Sequence, residues 1–91
     1  MDNVYKKYVD MIVRYFPDGT IVPLAVWWAE GELFQIDKVI DYRPCASLKA
    51  GGAGIRYTCM IQGREKYVWL EENRWFVEAK GDKLSAEQSA G

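Results

Sequence analysis

Residues 8–28 read YVDMIVRYFPDGTIVPLAVWW, and whether the first half of this stretch is helix or strand decides the fold class. Two periodicities compete before the first proline. Val4, Tyr5, Tyr8, Val9, Ile12, Tyr15 and Phe16 recur at spacings that would line one face of a helix over residues 4–16. Val9, Met11, Val13 and Tyr15 alternate with Asp10 and Arg14, which suits a strand with one buried face. Pro17-Asp18-Gly19 arbitrates. Proline presets φ near about −65° and glycine accepts positive φ, so the tripeptide turns the chain tightly between two β-branched runs. Residues 8–16 are therefore expected as a strand, with a helix over 4–16 as the alternative.

Turn signals continue outward from this hairpin. Glu30-Gly31 marks a reversal before residues 33–42. Gly63-Arg64 separates 55–62 from 65–71, and glycine at the first turn position suggests a two-residue type II′ turn. Glu72-Asn73 separates that run from 74–79, with Asn73 suited to the left-handed region. Short strands at this spacing predict an all-β domain, a small SH3-like barrel of roughly five or six antiparallel strands. The domain is expected over residues 1–80, with 81–91, whose one large apolar residue is Leu84, as a flexible tail.

Alternation assigns faces. Ile55, Tyr57, Cys59 and Ile61 should point into the core, and Arg56, Thr58, Met60 and Gln62 should face water. Trp75, Val77 and Ala79 should point in, with Arg74, Phe76 and Glu78 out. Residues 21–28 and 66–70 are apolar on both faces, so one of the adjacent Trp27 and Trp28 is expected to be exposed. Pro23 lacks a backbone donor, which places it at an edge or a bulge. Lys38 interrupts the apolar set Phe34, Ile36, Ile40 and Tyr42, which suggests a bulge near residues 37–38.

Composition narrows the function. The 91 residues make one domain, and four Trp, six Tyr and three Phe supply a core for so short a chain. A net charge of −1 argues against a strongly basic nucleic-acid protein. The distribution is less even: no acidic residue lies between Tyr42 and Arg64, where Arg43, Lys49, Arg56 and Arg64 all fall. The start of the chain shows no apolar export segment, and the longest apolar run, 21–28, is far below the about 20 residues that span a bilayer. A cytoplasmic protein with reduced Cys45 and Cys59 is expected.

The stretch SLKAGGAGIRY, residues 47–57, has the look of a phosphate loop, but Lys49 precedes its glycines and a β-branched run follows them. Phosphate loops need a helix N-terminus after the glycines to collect backbone donors. The stretch reads as a corner, with a loose anion nest flanked by Lys49 and Arg56 as the alternative. Catalysis finds little support. With no histidine, the commonest general base and the commonest nitrogen ligand for metals are missing. Cys59 reads as packing, Cys45 has no partner base, and Asp37, Asp41, Glu71 and Glu72 read as solvated carboxylates. No cofactor or metal site is expected.

Residues 18–24 (DGTIVPL), 36–44 (IDKVIDYRP), 47–59 (SLKAGGAGIRYTC) and 63–78 (GREKYVWLEENRWFVE) together resemble short uncharacterised bacterial proteins with a small SH3-like barrel. The resemblance covers residues 18–79 and implies a barrel, but no catalytic or ligand residue. A non-enzymatic binding module is thus expected, with a protein partner, including a second copy of the chain, as the first reading. SH3-type domains, for instance, hold extended peptides in aromatic-lined grooves. Single-stranded nucleic acid is the alternative. Its candidate surface is Arg43, Lys49, Arg56, Arg64 and Lys66 for phosphates, with Phe76, Trp69 or Tyr67 as stacking rings. Carboxylate or cysteine enzymology is the remote third.

Overall fold

The computed structural model describes residues 4–29, 31–47, 51 and 53–80. The described residues form strands and turns with no helix. In chain order the strands are β1 (Val4–Tyr15), β2 (Ile21–Ala29), β3 (Glu32–Gln35), β4 (Lys38–Pro44), β5 (Ile55–Ile61), β6 (Arg64–Glu71) and β7 (Arg74–Lys80). They make one antiparallel seven-stranded sheet, ordered β3-β2-β1-β7-β6-β5-β4, curled into a half-barrel. The tail over 81–91 lies outside the described residues.

The helical alternative for 4–16 is overturned. Val9, Met11 and Val13 pack on the core, while Tyr8 and Ile12 stand exposed on the opposite face. Apolar residues on both sides of one strand imitate a helical stripe. β1 also drives the curl: residues 4–9 pair with β7 along one edge, and 10–15 pair with β2 along the other. This stagger, added to the natural twist of the strands, rolls the sheet. The core inside the roll holds Val26, Ile36, Tyr57, Cys59, Ile61, Val68, Leu70, Trp75 and Val77. Ile55, Tyr57, Cys59 and Ile61, with Trp75 and Val77, point to the core as expected, but Thr58, expected to face water, is buried on the other face of β5.

The strand count exceeds the expected five or six because the run 33–42 is broken. The Ile36 N–H donates to the Leu24 carbonyl of β2 at 2.9 Å, and the Asp37 N–H to the Met60 carbonyl of β5 at 2.8 Å. The chain therefore leaves one side of the half-barrel and joins the other within two residues. The irregularity expected at 37–38 is this change of partner, followed by a register shift between Val39 and Asp41. Pro23 sits at a second shift, where Ile12 faces Ala25 and Val13 faces Pro23, so the bulge reading holds. Trp28 packs on the core and Trp27 is 40% exposed.

The turns refine the sequence reading. At 16–20 the Phe16 N–H donates to the Thr20 carbonyl and the Gly19 N–H to the Phe16 carbonyl, both at 2.9 Å, as the Pro-Asp-Gly signal requires. The β5–β6 turn is not Gly63-Arg64. Ile61 pairs with Arg64, and the two residues between, Gln62 (φ 53°) and Gly63 (φ 74°), both have positive φ. That is a type I′ turn. In the β6–β7 turn the positive φ falls on Glu72 (58°) rather than Asn73. Neither glutamine nor glutamate favours this region, whereas asparagine tolerates it. Gln62→Asn and Glu72→Asn are each expected to stabilise the fold by about 0.5 kcal/mol. The check is a higher urea midpoint at unchanged slope.

Candidate functional site

The basic segment is divided between two faces. Arg43 and Arg56 are cross-strand partners on the outer face of the sheet. Arg64 pairs with Ile61 and Lys66 with Cys59, so both share the inner face with the core residues. There they border a cavity of about 450 Å³ with Trp28, Phe34, Ile61 and Gln62, and the Lys66 Nζ stands 6.0 Å from the Trp28 ring centre. Lys49 lies outside the described residues. The five cations therefore do not make one phosphate track.

The outer face carries an aromatic row instead. Arg56 pairs with Trp69, Trp69 with Phe76, and Phe76 with Tyr8, which crosses four strands. Trp69 and Phe76 stack with centroids 5.3 Å apart and planes 3° from parallel. They are 2% and 0% exposed, so the expectation that they stack on bases is corrected: each ring is already covered. Of the three stacking candidates Tyr67, 45% exposed, is the accessible ring, and the Arg56 guanidinium lies 4.3 Å from its centre. The Arg56 Nε and Trp69 Nε1 are buried donors without an acceptor, each a cost of about 1–3 kcal/mol.

Ion pairs close the far end of the row. The Lys6 Nζ meets Glu71 at 2.9 Å, the Tyr8 hydroxyl donates to Glu71 at 2.9 Å, and the Arg74 guanidinium stands 4.3 Å from the Tyr8 ring centre. The Lys6 hydrogen bond, then that of Tyr8, lowers the Glu71 carboxyl below its ordinary value, and the same bond to Glu71 raises Lys6. A carboxyl with a lowered folded value contributes stability above the ordinary carboxylate range and loses it as pH falls through that lowered value. The raised Lys6 contribution is present below the ordinary lysine range and is lost as pH rises through the raised value. Glu71→Gln is therefore expected to lower stability at pH 7 and to flatten the acid limb. Urea melts at neutral and acid pH check this.

Cys45 and Cys59 are both free thiols. Burial pushes the Cys59 thiol up to about 11. Cys45 is half-buried with its Sγ 3.5 Å from the Ala46 carbonyl. No group of three or more metal-ligating side chains forms among the described residues. Nor is any helix among them long and apolar enough to cross a membrane.

The site that sequence reasoning missed lies where the chain forks at Ile36-Asp37. Beyond the fork β2 and β4 diverge, and an open groove of about 640 Å³ lies between them. Its lining includes Phe16, Asp18 and Val22 on one side and Ile40, Asp41 and Tyr42 on the other, with Tyr57 also contributing. Hydrogen-bond alternation shows which backbone groups face it. The Cys45 N–H donates to the Gly54 carbonyl, so Arg43 and Asp41 also direct their backbone to β5, and Tyr42 directs its own to the groove. On β2 the bond from the Phe16 N–H to the Thr20 carbonyl turns Val22 toward β1 and Ile21 toward the groove. The Ile21 carbonyl accepts the Tyr57 hydroxyl at 2.8 Å, so a side chain spans part of the gap. The Tyr57 and Tyr42 rings stack at 5.3 Å, and Tyr42 is 52% exposed.

No protein-family model matches the chain, and no curated protein or solved structure matches it either.

Proposed function

We propose that the protein is a non-enzymatic interaction module that holds an extended segment of another protein in the groove between β2 and β4. One observation carries this reading: two strand edges that flank a groove of mixed apolar and polar lining turn backbone groups of Ile21 and Tyr42 toward it. An extended segment laid there gains main-chain hydrogen bonds from the edges and side-chain contacts from Val22, Ile40 and the rings. The buried Cys59 and the lack of histidine accord with binding rather than catalysis. A cytoplasmic setting belongs to the same reading, since Cys45 and Cys59 are both free thiols.

Selection of a phage-displayed library of random nine-residue peptides on the immobilised protein tests it. Binders are expected, and Ile40→Arg, at an exposed groove position, is expected to lose them with the fold intact by circular dichroism. A library without binders, or binders indifferent to Ile40→Arg, would contradict the reading. Enrichment of the chain's own strand sequences would point to self-association, which sedimentation over a concentration range then decides.

A second reading, single-stranded nucleic acid, is favoured by the Arg56 guanidinium over the exposed Tyr67 ring beside Arg43. Anisotropy of labelled single-stranded DNA at low and moderate salt tests it. Steeply salt-dependent binding that Arg56→Glu removes is expected on this reading, and silence at low salt discards it.

A further inference from the structure

We infer that the cavity walled by Trp28, Phe34 and Ile61 binds a small organic anion, its apolar body against the two rings and its carboxylate or phosphate head between Arg64 and Lys66. This cavity shares no lining residue with the β2–β4 groove, so the two sites stand or fall separately. Register puts its walls on one face of the sheet. Arg64 pairs with Ile61 and Lys66 with Cys59, and Ile61 and Cys59 belong to the core. Phe34 pairs with the core residue Val26, and Phe34 and Trp28 both pack on that core. Each ring is half-buried, which leaves part of its surface to line the cavity. In the sheet β7 and β1 separate β6 from β2, so the Lys66 Nζ, 6.0 Å from the Trp28 ring centre, reaches across the roll.

The charge of this cavity is unanswered. Among the described residues, Arg64 and Lys66 are the charged side chains of its lining, and no carboxylate joins them. The ion pairs among those residues are Lys6–Glu71, Arg43–Asp41 and Arg74–Glu71, and neither Arg64 nor Lys66 enters one. Glu65, between them in sequence, pairs with Met60 and alternates to the opposite face. At 6.0 Å the Lys66–Trp28 contact is at the outer limit of a cation–π attraction, so the ammonium keeps its charge for a ligand. Two residues on one strand face stand about 7 Å apart, and an anion between the two heads relieves their mutual repulsion. Arginine presents a planar fork of donors to a carboxylate or phosphate, and lysine adds a point charge. A volume of about 450 Å³ falls within the range of small-molecule sites.

Isothermal titration with phenylbutyrate and with phenylpropyl phosphate tests the inference, each against its uncharged counterpart, phenylbutyramide and phenylpropanol. At least one anion is expected to bind the wild-type chain about tenfold more tightly than its counterpart, and the tighter of the two names the head. Arg64→Gln/Lys66→Gln is expected to abolish that preference. Both positions are exposed, so the variant should fold, which circular dichroism verifies. In NMR spectra of the wild-type chain the Trp28 indole N–H is expected to shift with the anion. A chain that takes up neither anion at millimolar concentration, or that binds anion and counterpart alike, would overturn the inference. A preference that survives in the double variant, or a bound anion that leaves the Trp28 indole unmoved, would overturn it as well.

Discussion

Gly54→Ala is expected to destabilise the fold by about 3 kcal/mol or more, a large part of what a domain of this size has to lose. Gly54 holds φ at 149°, a conformation L-residues rarely adopt, where strain alone costs about 1–3 kcal/mol. A Cβ there would overlap the Leu70 carbonyl oxygen and stand 3.0 Å from the Leu70 carbonyl carbon and 3.2 Å from the Glu71 Cα. These are backbone atoms of β6 and cannot swing aside. Relief requires the chain to lift off β6, which strains the Ile55–Leu70 pairing and the bond from the Cys45 N–H to the Gly54 carbonyl. Gly51→Ala is the control. Gly51 also has positive φ, 80°, but nothing lies within 4 Å of its Cβ, so about 1 kcal/mol is expected. Urea melts of both variants check the pair, and equal costs would mean that the close approach at Gly54 is wrong. Gly51 and Gly54 thus serve a corner: a strand, β5, follows them where a phosphate loop needs a helix.

The second large effect falls on binding. Tyr42→Ala is expected to weaken a groove-selected peptide about tenfold, because it removes a ring that stands half exposed on Tyr57. Tyr42→Pro should weaken it about fivefold further. Proline deletes the one N–H that β4 directs to the groove from this position, while the bonds from Asp41 and Arg43 to β5 remain. Isothermal titration with the same peptide measures both steps. Alanine and proline variants of equal affinity would show that main-chain pairing at Tyr42 contributes nothing.

The all-β class was legible because Pro17-Asp18-Gly19 sets a hairpin locally, and β5 alternates cleanly between core and outer face. β6 hid its parity. Its outer face carries Tyr67 and Trp69 and its inner face Val68 and Leu70, so nothing in the composition showed that Lys66 faces inward with Cys59. The five candidate cations were therefore grouped as one candidate surface, when cross-strand register separates Arg43 and Arg56 from Arg64 and Lys66. Phe76 was rightly placed on the outer face, but its burial under Trp69, Tyr8 and Lys6 depends on three other strand positions. The groove was the least legible feature, since it exists only where β2 and β4 diverge after the change of partner at Ile36-Asp37. Pro23 and Lys38 were its only local traces.

The most direct test of the groove is a ¹⁵N–¹H NMR titration of the labelled protein with the tightest selected peptide. The account predicts that the Ile21 and Tyr42 amides, which face the groove, move most and gain protection from exchange. Shifts centred instead on Arg56, Tyr67 and Trp69, with Ile21 and Tyr42 unmoved, would contradict it and place the binding surface on the outer aromatic row.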